Sequence, residues 1–255
     1  MNTHAILRQT QLEVVSSGAT KPVLDDSTGK TLVLLWSQLG DFDNLEYAWW
    51  LKRESAKLAT AAIQVKAVGI GDRNSGLKFC EYTGFPPESL YVDPKAEIHR
   101  KLGLYQGLTW KFPFLSPANS AFLNLMLMCA GIGSPGTLSE VLRGYKGDRS
   151  APQLIPDEQV VKDTPLPAIK GSMFKLAGGS GFQRPFELAT LRLRNMTEVL
   201  SNWSTYVPDA AYLTQRGGTF LYDGAELIYE HRDSHILGFA ANMSNPLAFT
   251  EQFIS

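Results

Sequence analysis

The run Thr31-Leu-Val-Leu-Leu-Trp36 constrains this chain most, because it is apolar from Leu32 onward and is bounded by turn-forming residues. A half-buried strand would alternate polar and apolar residues; this one reads as a strand covered on both faces, at the centre of a parallel sheet. Ser37-Gln-Leu-Gly-Asp41-Phe42 then turns the chain, and Asp43-Asn-Leu-Glu46 has the Asx-x-x-Glu spacing that caps a helix, predicting one from about Asn44 to Leu58. Ile63–Ile70 reads as the next strand. Asn74 or Ser75 can cap a helix through Tyr82, and Gly84 is placed to end it in the left-handed conformation. Leu90-Tyr-Val92 gives a third short strand, followed by a brief helix started by Asp93-Pro94 and stopped by Gly103. Strands alternating with helices in this way build a parallel sheet through right-handed crossovers.

The flanking segments read differently. Residues up to about Lys30 form a polar leader without a periodic pattern. From Leu104 to about Pro208 the chain reads as helices and loops, with Ser116-Pro117 and Ser134-Pro135 each pairing a cap with proline at the first helical position. Between Phe186 and Trp203, the residues Leu188, Leu191, Met196, Val199, Leu200 and Trp203 recur at helical spacing, with Arg192 and Arg194 off that stripe. Gly218–Tyr222 and Ala225–His231 flank Asp223-Gly224, a hairpin signal. The expectation is one α/β domain over residues 1–255: a thioredoxin-like fold with a central mixed sheet, a closing β-hairpin and a large helical insertion over 104–208. Phe112, Phe114, Phe122, Leu125, Met126 and Met128 give that insertion side chains that need a buried face.

Composition excludes several functions. With 24 basic and 25 acidic residues the chain has no electrostatic footprint for a phosphate backbone, so no nucleic-acid partner is expected. The N-terminus lacks the pattern of a signal peptide, which points to the cytoplasm, or to the chloroplast stroma after processing. The most apolar stretch, Ala121–Ile132, is too short to span a bilayer and is interrupted by Asn124; peripheral association with a membrane stays open. The two cysteines, Cys80 and Cys129, lie far apart without histidines at ligand spacing, so neither a metal site nor a disulfide framework is expected, and no cofactor.

Gly40-Asp-Phe-Asp-Asn-Leu-Glu-Tyr-Ala48 after the buried strand, Lys78-Phe-Cys-Glu-Tyr-Thr-Gly-Phe-Pro86, Leu90-Tyr-Val-Asp-Pro94 with Leu102-Gly-Leu104, and Gly217-Gly-Thr-Phe-Leu221 through Tyr229-Glu-His-Arg232 occur in an order that resembles the peroxiredoxin-like proteins of the AhpC/TSA group. That group includes prostamide and prostaglandin F synthase. The blocks Ala130–Tyr145 and Arg184-Pro-Phe-Glu-Leu-Ala189 resemble a branch found in cyanobacteria and plastids. The resemblance implies a Cys-x-x-Cys pair at the strand-to-helix turn, where the helix N-terminus favours thiolate. The matching positions here are Asp41 and Asn44. A carboxylate is already anionic at neutral pH and cannot form a sulfenic acid, so no residue is assigned a catalytic role.

Other features have both a functional and a plain reading. Asp41 and Asp43 can form a carboxylate pair for acid–base work or cation binding, against a simple capping cluster, which is the reading preferred. Cys80 and Cys129 read as core residues, with Cys80 as a stand-in thiol the sharper alternative. Gly178-Gly-Ser-Gly181 ahead of Gln183-Arg184-Pro185 can cradle an anion or form a plain loop; His231 and His235 read as surface residues and the five tryptophans as core or interface anchors. The functional expectation is a non-catalytic protein-binding or accessory module, with a component of the photosynthetic apparatus as its expected partner, bound through the apolar remainder of the insertion. The alternative is a thiol-dependent oxidoreductase or peroxidase using Cys80, Cys129 or a partner's thiol. Asp41–Asn44 are expected at a helix N-terminus, on the surface or in a shallow cleft, and the two thiols unbonded and unactivated.

Overall fold

The computed structural model describes residues 2–25, 29–146, 151–163, 166–176 and 184–253. Strand β3 (Lys30–Gln38) is the axis of the sheet. Its residues alternate between two cores: Leu32, Leu34 and Trp36 face one side, Val33 and Leu35 the other, and all are essentially inaccessible to solvent. A strand buried on both faces has no polar side to show, which is why the sequence here does not alternate. β3 pairs in parallel with β4 (Ile63–Ile70), and β4 in parallel with β5 (Leu90–Val92). On its other edge β3 pairs antiparallel with β8 (Gly218–Asp223), which turns through Asp223-Gly224 into β9 (Glu226–Arg232). Gly224 has φ +54° at that turn, a conformation glycine reaches without strain.

The sheet extends beyond the expected limits. The supposed leader folds as helix α1 (Thr3–Gln9) and a hairpin of β1 (Gln11–Val14) and β2 (Thr20–Pro22), and β1 pairs antiparallel with β5. The seven-stranded order is β2-β1-β5-β4-β3-β8-β9. The parallel β3-β4-β5 unit closed by an antiparallel hairpin is the thioredoxin-like arrangement.

Helix α2 (Phe42–Arg53) leaves the C-terminal end of β3 and continues after a break at Glu54 as α3 (Ser55–Thr60). The single helix expected over 44–58 is therefore two, and its cap is Asp41 rather than Asp43. Asp72 caps α4 (Arg73–Thr83), with Ser75 completing a reciprocal capping box, and Gly84 ends it at φ +75°. Helix α5 (Glu97–Lys101) follows β5. Leu45, Trp49 and Trp50 of α2 and Phe79 of α4 join the core on the Trp36 face, whereas Leu7 of α1 and Ile98 of α5 join the core on the opposite face.

Between α5 and β8 lie α6 (Pro117–Cys129), α7 (Thr137–Lys146), α8 (Met173–Leu176), α9 (Arg184–Ser201) and α10 (Trp203–Tyr206). Ser116 caps α6 ahead of Pro117, whereas α7 starts two residues past Pro135, at Thr137. This segment is not all helix and loop. A two-stranded ladder of β6 (Val160–Asp163) and β7 (Leu166–Lys170) packs Val161 and Ile169 with Ile155 and Phe174 into a small core of its own. Buried Glu187 of α9 accepts hydrogen bonds from the backbone N–H of Leu154 (2.7 Å) and Ile155 (2.6 Å), fastening this core to the helix. Leu191 and Val199 of α9 reach the main core, while Met196 and Leu200 of the expected stripe are exposed.

Candidate functional site

The candidate site lies at the C-terminal end of β3, where ligands of open α/β sheets usually bind. Asp41 ends the turn. Its Oδ1 accepts from the N–H of Asp43 (3.1 Å), capping α2, and its Oδ2 accepts from Ser37 Oγ (2.8 Å) and from Arg216 Nη2 (2.5 Å). Asn44 Nδ2 donates to Ser37 Oγ (3.1 Å) and to the carbonyl of Gln38 (2.7 Å), tying the first turn of α2 back to the strand. Asp41 is indeed a cap, but it is also half of an ion pair.

Arg216, 2% exposed, comes from the loop before β8. Its backbone N–H donates to the carbonyl of Tyr105 (2.8 Å) and its Nε to that of Thr214 (3.3 Å), so the guanidinium is aimed before it meets any acid. Its Nη1 lies 3.6 Å from Asp43 Oδ2, which also accepts the N–H of Leu237 (2.7 Å). Asp233 stands next to it in the same network, accepting the N–H of Gly217 (3.1 Å) through Oδ2, with His231 Nε2 3.7 Å from Oδ1. A methyl group on Gly217 would lie 2.0 Å from the carbonyl oxygen of Leu35, so only glycine lets the loop approach the strand this closely.

Burial and the neighbouring Asp41 charge push Asp43 well above the usual carboxylate range, against the pull of Arg216 and the Leu237 N–H. Burial raises Asp233 to about 7, with Arg216 and the Gly217 N–H opposing it. In Arg216 itself burial lowers the pKa, but Asp41 and Asp43 outweigh it, and the guanidinium is held cationic. A second pair sits beside this network: Arg192 Nε of α9 bonds Glu46 Oε2 at 3.2 Å.

Of these charged groups Asp41, Asp43, Glu46 and Arg192 line a pocket of about 250 Å³, whose walls also include Leu125 and Val141 of α6 and α7, Trp203, Leu213 and Ile236. Of the turn expected on the surface or in a shallow cleft, Asp41 and Phe42 are partly exposed in the pocket, whereas Asp43 and Asn44 are buried, because α6, α7 and α9 cover the turn. Arg192 faces Glu46 and lines the pocket, so its place off the apolar stripe has a use. Arg216 was missed, as were Gln38 and Glu46; the only local signal was the Arg216-Gly-Gly-Thr block, whose arginine has no sequence neighbour to pair with.

The two thiols are free and sit apart. Cys80 is buried on α4, and burial followed by the charge of Glu88 raises it to about 12. Cys129 is a correction: it is exposed at the end of α6 rather than in the core, and it lines the pocket. Partial burial, then the charges of Asp41 and Asp43, raise its pKa too, so both thiols are shifted away from the thiolate. The two histidines are only partly at the surface: His231 Nε2 bonds the carbonyl of Gly238 (2.8 Å), and the His235 ring packs against Gly136 and Gly238. Among the described residues no group of three His, Cys, Asp or Glu side chains can hold a metal ion, and no helix is long and apolar enough to cross a membrane. The glycine run 178–181 lies outside the described residues.

The model of the AhpC/TSA antioxidant enzyme family matches residues 50–235. The chain belongs to this family. The matched segment takes in β4, β5, Arg216 and both strands of the closing hairpin, and it begins after the turn at Asp41. No curated protein and no solved structure matches the chain.

Proposed function

We propose that this AhpC/TSA family member has lost thiol chemistry at the strand-to-helix turn and serves as a docking module for another protein. By the resemblance of the flanking blocks, Asp41 and Asn44 match the positions at which active relatives carry the Cys-x-x-Cys pair. The Asp41 carboxylate is engaged by its cap, Ser37 and Arg216, and a carboxylate cannot take up the oxidation chemistry of a thiol. The observation that carries the docking reading is where the exposed apolar side chains lie. Trp110, Phe114, Phe122, Met126, Leu138 and Leu142 are each about half exposed or more, and among the described residues Leu77 is the one large exposed hydrophobe outside residues 104–208. From Leu104 to Ser139 the chain carries a single charged residue, Lys111. Apolar, aromatic and Met-rich surface depleted of charge is the composition of an interface core, not of a solvated face. The likeness to a cyanobacterial and plastid branch makes a component of the photosynthetic apparatus, in the cytoplasm or stroma, the partner of choice.

The test compares capture of a partner by the full chain with capture by Leu138→Asp/Leu142→Asp and by Leu77→Asp. Capture lost in the first variant and kept in the second supports the reading. Capture that survives the first variant but disappears on Asp41→Asn would return the functional site to the turn.

One observation favours a second reading. Cys129 is exposed and lines the same pocket as Asp41, the place a substitute thiol would need. Its raised pKa argues against it, since the thiolate is the nucleophile.

A further inference from the structure

The pocket beside the turn has more acid than base around it. Asp41, Asp43, Glu46 and, behind Arg216, Asp233 face two guanidiniums: Arg216 serves the three aspartates, and Arg192 serves Glu46. No lysine lines the pocket, and the remaining titratable groups nearby are Cys129 on its wall, His235, packed against Gly136 and Gly238, and Glu140 of α7, which is paired with Arg143 and acts on Arg192 and His235. Asp43 therefore shares its counter-charge, at 3.6 Å, with an aspartate that holds the same guanidinium at 2.5 Å. A buried carboxyl in that position takes up a proton or accepts a cation. The N-terminus of α2, which would otherwise attract an anion, is already met by the Asp41 and Asp43 carboxylates.

Gln38 supplies an independent observation. It is 2% exposed and lines the pocket, and its Nε2 donates to the carbonyl of Asp209. A carbonyl oxygen only accepts, so the amide cannot be turned the other way. Its buried Oε1 is left with no hydrogen-bond partner among the described residues. Such an acceptor costs roughly 1–3 kcal/mol until a donor reaches it. Asp43 and Gln38 thus both call for a donor, and the rest of the wall is apolar: Leu125, Val141, Trp203, Leu213 and Ile236.

We propose that this pocket binds a small primary ammonium on an apolar stem, an alkylamine or arylalkylamine. Its N–H groups meet Gln38 Oε1 and the Asp43 carboxylate, and its stem lies along Leu125, Val141 and Trp203. At about 250 Å³ the pocket falls just below the roughly 300–1,000 Å³ of drug-sized sites, so the occupant is small. Carboxylate and phosphate ligands are selected against by the same excess of acid. The inference goes beyond the docking reading and does not rest on it.

Cys129 is a built-in reporter, exposed on the pocket wall, while Cys80 is buried. The full chain is labelled with a cationic aminoethyl and an anionic sulfonatoethyl methanethiosulfonate; in each case the thiolate forms the new S–S bond and methanesulfinate leaves. Cys129→Ser assigns the signal. The expected result is labelling of Cys129 at least about tenfold faster by the cationic reagent, in line with the roughly 10–10³-fold enrichment charged clefts give. Phenethylamine and hexylamine should protect Cys129 saturably and hexanoate should not. Gln38→Leu and Asp43→Asn, the latter keeping an acceptor for the Leu237 N–H, should each remove that protection. Equal rates for the two reagents, no protection by either amine, equal protection by hexanoate, or protection that persists in both variants would each overturn the proposal.

Discussion

A guanidinium taken out of water is tolerated only if charge and hydrogen bonds surround it, and removing it leaves its acids buried without a counter-charge. Arg216 is such a group, and Asp41, Asp43 and Asp233 depend on it. Arg216→Ala should therefore destabilise the protein by roughly 3–5 kcal/mol in urea denaturation, far more than a surface substitution. A loss below about 1 kcal/mol would mean that the acids are not held as described. Asp233 adds a pH dependence of unusual sign. Its folded pKa, about 7, lies above the unfolded value, so the folded state keeps a proton that the unfolded chain releases. Stability contributed by Asp233 is thus fully present below about pH 4, falls as pH rises to about 7, and is flat above that. Asp233→Asn retains an acceptor for the Gly217 N–H and cannot ionise. Relative to this variant the wild type should lose stability, on the order of a few kcal/mol, between pH 4.5 and 8; a difference that does not change with pH would contradict the assignment.

At the scale of elements, legibility followed the range of the interactions. β3, β4, β5 and the β8–β9 hairpin were readable because their signals, continuous apolar runs and an Asp-Gly turn, are local. The hairpin β1–β2 was not, because its strands are short and carry few apolar residues, and their order depends on β1 pairing with the distant β5. The same holds for β6–β7, which owes its order to a core shared with Ile155 and Phe174. In the site, Asp41 was legible as a turn residue in a capping cluster; Arg216 was not, since Asp41 lies 175 residues away and only the closed sheet brings them together. The apolar faces of α6 and α7 were legible as composition, but which residues of them stay exposed depends on how they cover the turn. That exposure carries a prediction: Leu138→Asp/Leu142→Asp should change stability by no more than about 1 kcal/mol, because neither side chain is buried. A much larger loss on urea denaturation would place these leucines in a core instead of a docking face.

Over the whole molecule, the thioredoxin-like scaffold of the family is intact while the end of β3 holds a carboxylate–guanidinium network under a cover of three helices. Ser134 and Thr137 at the start of α7 bond the backbone of Ile236, and Leu237 bonds Asp43, so the cover, the hairpin's exit and the turn form one connected unit. A network of that kind fixes geometry but cannot cycle through oxidation states, and the two thiols that could are both pushed upward in pKa. The most direct test is the initial rate of peroxide consumption with a thioredoxin donor, measured for the wild type and for Cys80→Ser/Cys129→Ser. The account predicts no rate above the protein-free background in either. A clear wild-type rate that disappears in the double variant would contradict it.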